Sequence, residues 1–191
     1  MTVIVEQIVS ADGFAAAPDG GIGFMGVANA NANDEAQLRM LEDVDAIVLG
    51  RTTYGMFADY WPHADPADEP VAQPIARLPK LVVSATLERA PWGDGEIEVL
   101  RPDPDAVAAV RALEARFPTV IVWGSLTLTD ALFAAGAVDR LRLRAVPALL
   151  GEGRRIAPEA LGSGEPGYRE LRHTSTEALA SGHVVTEYAL T

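Results

Sequence analysis

The stretch TVIVWGSLTLTDALFAAG, residues 119–136, decides the reading of this 191-residue chain. Thr119 to Trp123 is an unbroken apolar and β-branched run, the pattern of a strand buried on both faces inside a parallel sheet. Gly124 then permits a sharp turn. Thr127-Leu-Thr-Asp130 has the spacing of a capping box, so a helix is expected from near Ser125 to Ala135, stopped by Gly136.

Working outward, the same strand-then-helix unit recurs upstream. Val3 to Val9 reads as a buried strand, followed by a Gly-, Ala- and Asn-rich stretch from Ser10 to Asn33 whose apolar Phe14, Ile22, Phe24 and Met25 argue for order. Asn33 or Asp34 can cap a helix running to about Asp43, with Leu38 and Leu41 on one face. Ala46 to Leu49 is a short strand ended by Gly50, with a helix from Thr52 to Asp59 and then WPHADPADEP (61–70), a surface loop rich in Pro and acids. Lys80 to Ser84 and Ile97 to Leu100 read as strands, and Asp105 to Arg116 as a helix with Val107, Val110 and Leu113 inward. Alternation of this kind implies a mainly parallel sheet covered by helices on both faces.

After Gly136 the period changes to two, with Leu141, Leu143 and Ala145 against Arg140, Arg142 and Arg144. The arginine face reads as a solvated or subunit-contact surface of an edge strand. Tyr168 to Thr176 and His183 to Leu190, joined through Ser181-Gly182, read as antiparallel edge strands. No repeat or linker interrupts the pattern. The expected architecture is one α/β domain over residues 1–191, three layers α/β/α, with a mixed sheet that is mainly parallel and has antiparallel C-terminal edge strands.

Composition narrows the chemistry. Apolar residues make up 49% of the chain, enough for a sizeable core, and 15 basic against 27 acidic residues leave a formal charge of −12, the wrong sign for a general nucleic-acid or anionic-membrane binder. The absence of cysteine removes disulfides, thiolate zinc sites and cysteine nucleophiles. The opening MTVIVEQIVSADG has neither a basic n-region nor an apolar run near the ~18 residues of a membrane span, so a cytoplasmic protein is expected. His63, His173 and His183 lie far apart without metal-ligand spacing, and no metal is expected.

Three strand ends carry candidate binding groups. At Leu49-Gly50-Arg51-Thr52-Thr53 a buried strand gives way to a helix start bearing an Arg and two hydroxyls. Free N–H groups and the helix dipole there favour an anion, and Arg adds a fork-shaped donor; the plainer alternative is Thr52 as a cap and Arg51 as a surface charge. Val122-Trp123-Gly124-Ser125-Leu126 repeats the arrangement, and Val83-Ser84-Ala85-Thr86 is a third, weaker instance. In open α/β sheets ligands gather at such carboxyl ends. Gly21-Ile-Gly23-Phe-Met-Gly26 fits G-x-G-x-x-G but opens no helix, which rules against a Rossmann pyrophosphate site. Asp34 is either a helix cap or a carboxyl drawn into a pocket as a proton donor. Asp12 reads as a turn residue.

In order and spacing, SADGF (10–14), LGRTTYGMFADYWP (49–62), KLVVSATL (80–87), VIVWGSLTLTDALFAAGAVDRLRL (120–143) and AVPALLGEGRRI (145–156) resemble the dihydrofolate reductase superfamily. The resemblance is strongest to the branch containing the C-terminal reductase domain of the bifunctional riboflavin-biosynthesis enzyme. It implies a dihydrofolate reductase-like sheet binding NADPH across its strand ends. Gly50, Arg51, Thr52 and Thr53 match the cofactor-phosphate segment, Ser84, Ala85 and Thr86 the segment flanking the adenosine ribose phosphate, and Gly124, Ser125, Leu126 and Thr127 the pyrophosphate turn, where the family often has Gly-Gly. Asp34, sixteen residues before Gly50, matches the proton-donating carboxylate. Asp12, Gly13, Ile22, Phe57 and Trp61 would line the substrate space. A chain without cysteine cannot hold the zinc deaminase half of the bifunctional enzyme, so a stand-alone reductase-type domain is implied, with a homodimer as the family habit. The implied activity is NADPH-dependent reduction of a pyrimidine- or pteridine-like heterocycle, 5-amino-6-(5-phosphoribosylamino)uracil first among candidates. A nucleotide-binding protein without turnover and a flavin- or deazaflavin-linked reductase stand as alternatives.

Overall fold

Six parallel strands form the middle and one edge of an eight-stranded sheet in the computed structural model, which describes residues 1–27, 34–158 and 168–190, with Asp34 described by its backbone alone. In chain order the elements are β1 (Thr2–Ser10), β2 (Phe14–Ala16), α1 (Asp34–Leu41), β3 (Ala46–Gly50), α2 (Arg51–Tyr60), α3 (Ala72–Arg77) and β4 (Lys80–Val83). A small hairpin, β5 (Pro91–Trp92) and β6 (Gly95–Glu96), precedes β7 (Glu98–Leu100), α4 (Ala106–Arg111), β8 (Thr119–Trp123), α5 (Leu126–Ala134) and β9 (Arg140–Val146). Then come β10 (Arg154–Arg155), β11 (Leu171–Ala178) and β12 (Val184–Leu190).

The sheet order is β11-β12-β9-β1-β8-β3-β4-β7, parallel from β9 to β7 and antiparallel at β12 and β11. This is the mixed, mainly parallel sheet with antiparallel C-terminal strands that the periodicity predicts. Both faces are covered. On one, Val5, Val48 and Val122 pack against Val110 and Leu113 of the α4 region and Leu128 and Leu132 of α5. On the other, Ile4, Ile47 and Ile121 pack against Leu41, Tyr54 and Ile75 from α1, α2 and α3. The central strands are apolar run after run because each side chain, up or down, meets a helix layer.

Two local expectations are corrected. The arginine face of β9 is neither solvated nor at an edge: β9 lies between β1 and β12, and Arg142 and Arg144 are only 3% and 6% exposed. They turn inward because α1 covers that face and supplies acceptors, the Ala36 carbonyl for Arg142 and the Gln37 side chain for Arg144. The capping box at Thr127 to Asp130 does not form; α5 starts at Leu126 with Ser125 as its N-cap residue and no side-chain cap. The segment after the acidic loop, for which the sequence reading named no element, winds into α3, held by Lys80, whose Nζ donates to the carbonyls of Ile75, Ala76 and Leu78. The expected order in the long loop is seen in β2, which is buried and pairs with β10. Asn33, the alternative cap for α1, lies outside the described residues.

Candidate active site

Parallel strands with helices on both faces deliver their carboxyl ends to one rim, and β1, β3, β4 and β8 do so here around a cavity of about 1000 Å³. All three glycine- or hydroxyl-bearing strand ends open into it: Gly50 to Thr53, Ser84 to Thr86, and Gly124 to Thr127. Residues up to 77 positions apart, such as Gly50 and Thr127, thus become neighbours along one wall.

A small set of bonds clasps two of these ends together. Ser125 Oγ accepts the Gly50 backbone N–H at 2.7 Å and donates to the Trp123 carbonyl, also at 2.7 Å. The Ser125 N–H in turn reaches Thr53 Oγ1 at 2.8 Å. Below them Gln7 Nε2 donates to the Gly124 carbonyl. Space is tight: a Cβ on Gly50 would sit 3.3 Å from Ser125 Cβ, and one on Gly124 would sit 3.1 Å from Thr53 Oγ1. Gly124 and Ser125 are both left-handed, with φ of 51° and 53°.

The clasp leaves two helix N-termini side by side, and neither α2 nor α5 has a side-chain cap. Their first-turn N–H groups and dipoles make this wall locally positive although the protein is acidic overall. Two arginines reinforce it. Arg51 Nη1 lies 3.4 Å from Thr86 Oγ1, and Arg101 Nη1 donates to the Ser84 carbonyl at 3.0 Å. Ser84 Oγ accepts from the N–H groups of Thr86 and Leu87, which shapes the turn between them.

The lining is also aromatic. Phe57 stacks obliquely on Trp123 at 5.6 Å and meets Trp61 edge-on at 6.0 Å. Ile22, Met25, Met56 and Tyr60 line the same cavity, and Ile22, Met56 and Tyr60 are among the exposed large apolar side chains. At the floor, polar groups intrude: Glu6, Gln37 and Arg144 also line the cavity.

Of the residues singled out from sequence, the eleven strand-end residues together with Ile22, Phe57 and Trp61 line this one cavity. Asp12 and Gly13 are not among its lining residues. Asp12 instead accepts from Ser10 Oγ and from the N–H groups of Leu150 and Gly151. The Ser10 hydroxyl first, with the Gly151 and Leu150 amides, holds the Asp12 carboxyl down to about 2. It is a loop clamp joining residues 10–12 to 150–151. Asp34 opens α1, and its side chain lies outside the described structure.

Sequence reasoning missed Glu6, Gln7, Gln37, Arg101, Arg144 and Arg154 as residues at or beside the site. For Glu6 and Gln7 a signal existed, since a polar pair interrupts the otherwise apolar run from Val3 to Val9. Arg154 comes from β10 and pairs with Asp130 of α5. Among the described residues no three His, Asp or Glu side chains form a metal-holding group, and no helix is long and apolar enough to cross a membrane.

Comparison with known proteins agrees with this architecture. The family model described as RibD C-terminal domain matches residues 1–185. A Shewanella sp. PV-4 protein described as a riboflavin biosynthesis protein superposes with a TM-score of 0.77 at 22% identity, over 100% of this chain and 99% of that one. RibD of Acinetobacter baumannii gives 0.69 at 15% identity, with this chain spanning 58% of its length. Dihydrofolate reductase of Enterococcus faecalis, solved with NADP(H), gives 0.61 at 13% identity over 100% of this chain and 96% of that one. At these identities the structural likeness speaks for the fold. No curated protein sequence matches the chain significantly.

Proposed function

The chain belongs to the RibD C-terminal domain family, and from that premise we propose that it is an NADPH-dependent reductase of a pyrimidine- or pteridine-like heterocycle. The leading substrate candidate is 5-amino-6-(5-phosphoribosylamino)uracil. The observation that carries this reading is the clasp between Ser125 and Gly50, which sets two uncapped helix starts beside an aromatic chamber in one cavity.

The residues present fit a phosphorylated dinucleotide. Uncapped first-turn N–H groups at α2 and α5 are ready donors to a pyrophosphate. Arg51 and Arg101 flank the Ser84 to Thr86 turn, and in this reading they meet a ribose phosphate with charge-assisted bonds. The cavity, at about 1000 Å³, stands at the upper end of ordinary ligand pockets, as two ligands require. A reduced nicotinamide, when bound, supplies the hydride equivalent. Phe57, Trp61 and Trp123 exclude water from the reacting ring and present flat surfaces to it. The Asp34 carboxyl, by its family position, delivers the proton to the ring heteroatom, directly or through water.

Thermal unfolding with NADPH, NADH, FMN and a deazaflavin tests the reading. A ligand present at 100 times its dissociation constant stabilises by about 2.7 kcal/mol, and only NADPH is expected to do so at micromolar concentration. Absence of an NADPH shift overturns the proposal, and a shift with FMN or deazaflavin alone replaces the cofactor.

A further inference from the structure

Glu6 is a charged group buried at the floor of the cavity that cofactor binding and proton delivery leave unused. It stands in the middle of β1, in register with Trp123 of β8 on one side and Arg142 of β9 on the other, and is 3% exposed. A carboxylate placed there is costly unless paired and hydrogen-bonded.

Its partners among the described residues meet one of its two oxygens. Gln37 Nε2 donates to Oε2 at 3.1 Å, and Arg142 Nε lies 3.7 Å from the same oxygen. Among the described residues no hydrogen bond or ion pair reaches Oε1, and the Glu6 side chain lines the cavity. Nor is Glu6 the principal counter-ion of Arg142. That guanidinium is closer to Glu187 Oε1, at 3.4 Å, and donates to the Ala36 carbonyl at 3.2 Å.

The chemistry around it is already complementary to an amide. The side-chain amide of Gln37 is gripped at both ends, its N–H by Glu6 and its carbonyl oxygen by Arg144 Nη2 at 2.6 Å. The indole of Trp123, the register neighbour of Glu6, supplies a flat wall for a planar ring. An ionised acceptor at the end of an aromatic slot discriminates strongly for a ring that brings a donor, because a ring without one leaves that oxygen desolvated and unpaired.

We propose that Glu6 is a specificity-determining residue whose Oε1 accepts a ring N–H, so that the chain selects heterocycles with a free lactam or ureide edge and rejects their N-alkylated analogues. This rests on the reading of the cavity as a reductase site and names the edge by which that site reads its substrate.

The test uses the full chain, 5,6-diaminouracil and its 1,3-dimethyl derivative as probes, and titration calorimetry with and without NADPH. The protein is expected to bind the free-NH probe at least about tenfold more tightly, the discrimination one charge-assisted hydrogen bond provides. Glu6→Gln and the shorter Glu6→Asp, which keeps the charge facing Arg142, are both expected to bring the two probes within about threefold, with NADPH affinity unchanged. The preference ratio is a readout that a merely structural role would not move. Equal binding of the two probes, binding of neither, or a wild-type ratio in Glu6→Asp overturns the inference, and the probe comparison on the unmutated chain stands even if Glu6→Gln fails to fold. NADPH binding without probe preference sinks this inference alone. Probe preference without NADPH binding sinks the cofactor reading and leaves Glu6 standing.

Discussion

The hydroxyl of Ser125 accepts the backbone N–H of Gly50 at 2.7 Å, joining the ends of two neighbouring strands across 75 residues of sequence. Because the same hydroxyl donates to the Trp123 carbonyl, its position is fixed from both sides. The starts of α2 and α5 are thereby held in one mutual geometry, and the locally positive character of the wall depends on it.

Removing that hydroxyl is expected to cost stability. Ser125→Ala leaves the Gly50 N–H and the Trp123 carbonyl without their partner and should destabilise by about 1–3 kcal/mol. Ser125→Gly should cost less, because Ser125 is the one non-glycine residue with positive φ among the described residues and glycine takes that conformation freely. Urea midpoints for the two variants check the order; a glycine variant less stable than the alanine variant would contradict it.

Gly124→Ala combines two penalties, a left-handed backbone and a Cβ 3.1 Å from Thr53 Oγ1. A loss of about 1–3 kcal/mol is expected, together with weaker NADPH binding, since Thr53 Oγ1 holds the Ser125 N–H at the start of α5. Retention of full NADPH affinity in a folded variant would separate the turn from the binding wall.

Arg51→Ala and Arg101→Ala test the adenosine end of the cavity. If these guanidiniums meet a ribose phosphate, each variant should lose at least about tenfold in NADPH affinity while NADH affinity changes little, in line with the strength of charge-assisted bonds. Equal losses for both nucleotides would mean that the arginines serve only the Ser84 to Thr86 turn.

Asp12 gives a pH dependence. Its carboxyl is held at about 2 in the fold against an ordinary value of 3.8. The ionised form is therefore the stabilising one, and its contribution is complete above about pH 4 and lost as pH falls through about 2. Asp12→Asn should be less stable than the parent at neutral pH, and the difference should narrow between pH 4 and 2 in acid-unfolding curves. A constant difference across that range would remove Asp12 from the acid response.

Asp34→Asn is expected to lower kcat by about 10²–10⁴, the usual worth of a positioned general acid, with NADPH affinity held within about twofold. Steady-state turnover of the leading substrate candidate, read beside an NADPH titration, separates the two effects.

Much of this molecule was legible in its order of residues. Runs such as Ala46 to Leu49 and Thr119 to Trp123 declared buried strands, and Gly50 and Gly124 marked their ends, because strand burial and turn sterics are properties of a few consecutive residues. Those strand ends do converge on one cavity, as parallel topology requires. Non-local choices were hidden. Period two in β9 separated arginines from leucines but could not tell which face would be covered; only the placement of β9 beside β1 and the docking of α1 turned Arg142 and Arg144 inward to Glu6 and Gln37. Asp12 likewise had a turn-forming neighbourhood, while its tie to Leu150 and Gly151 depended on a loop 138 residues away. By itself the sequence determined the main-sheet strands, the helices α1, α2, α4 and α5, their layering and the glycine-marked ends, since backbone sterics and apolar periodicity act locally. The tertiary structure decided which charges meet at the cavity floor, because a buried ion finds its partner through strand register and helix docking, which no short stretch of chain encodes.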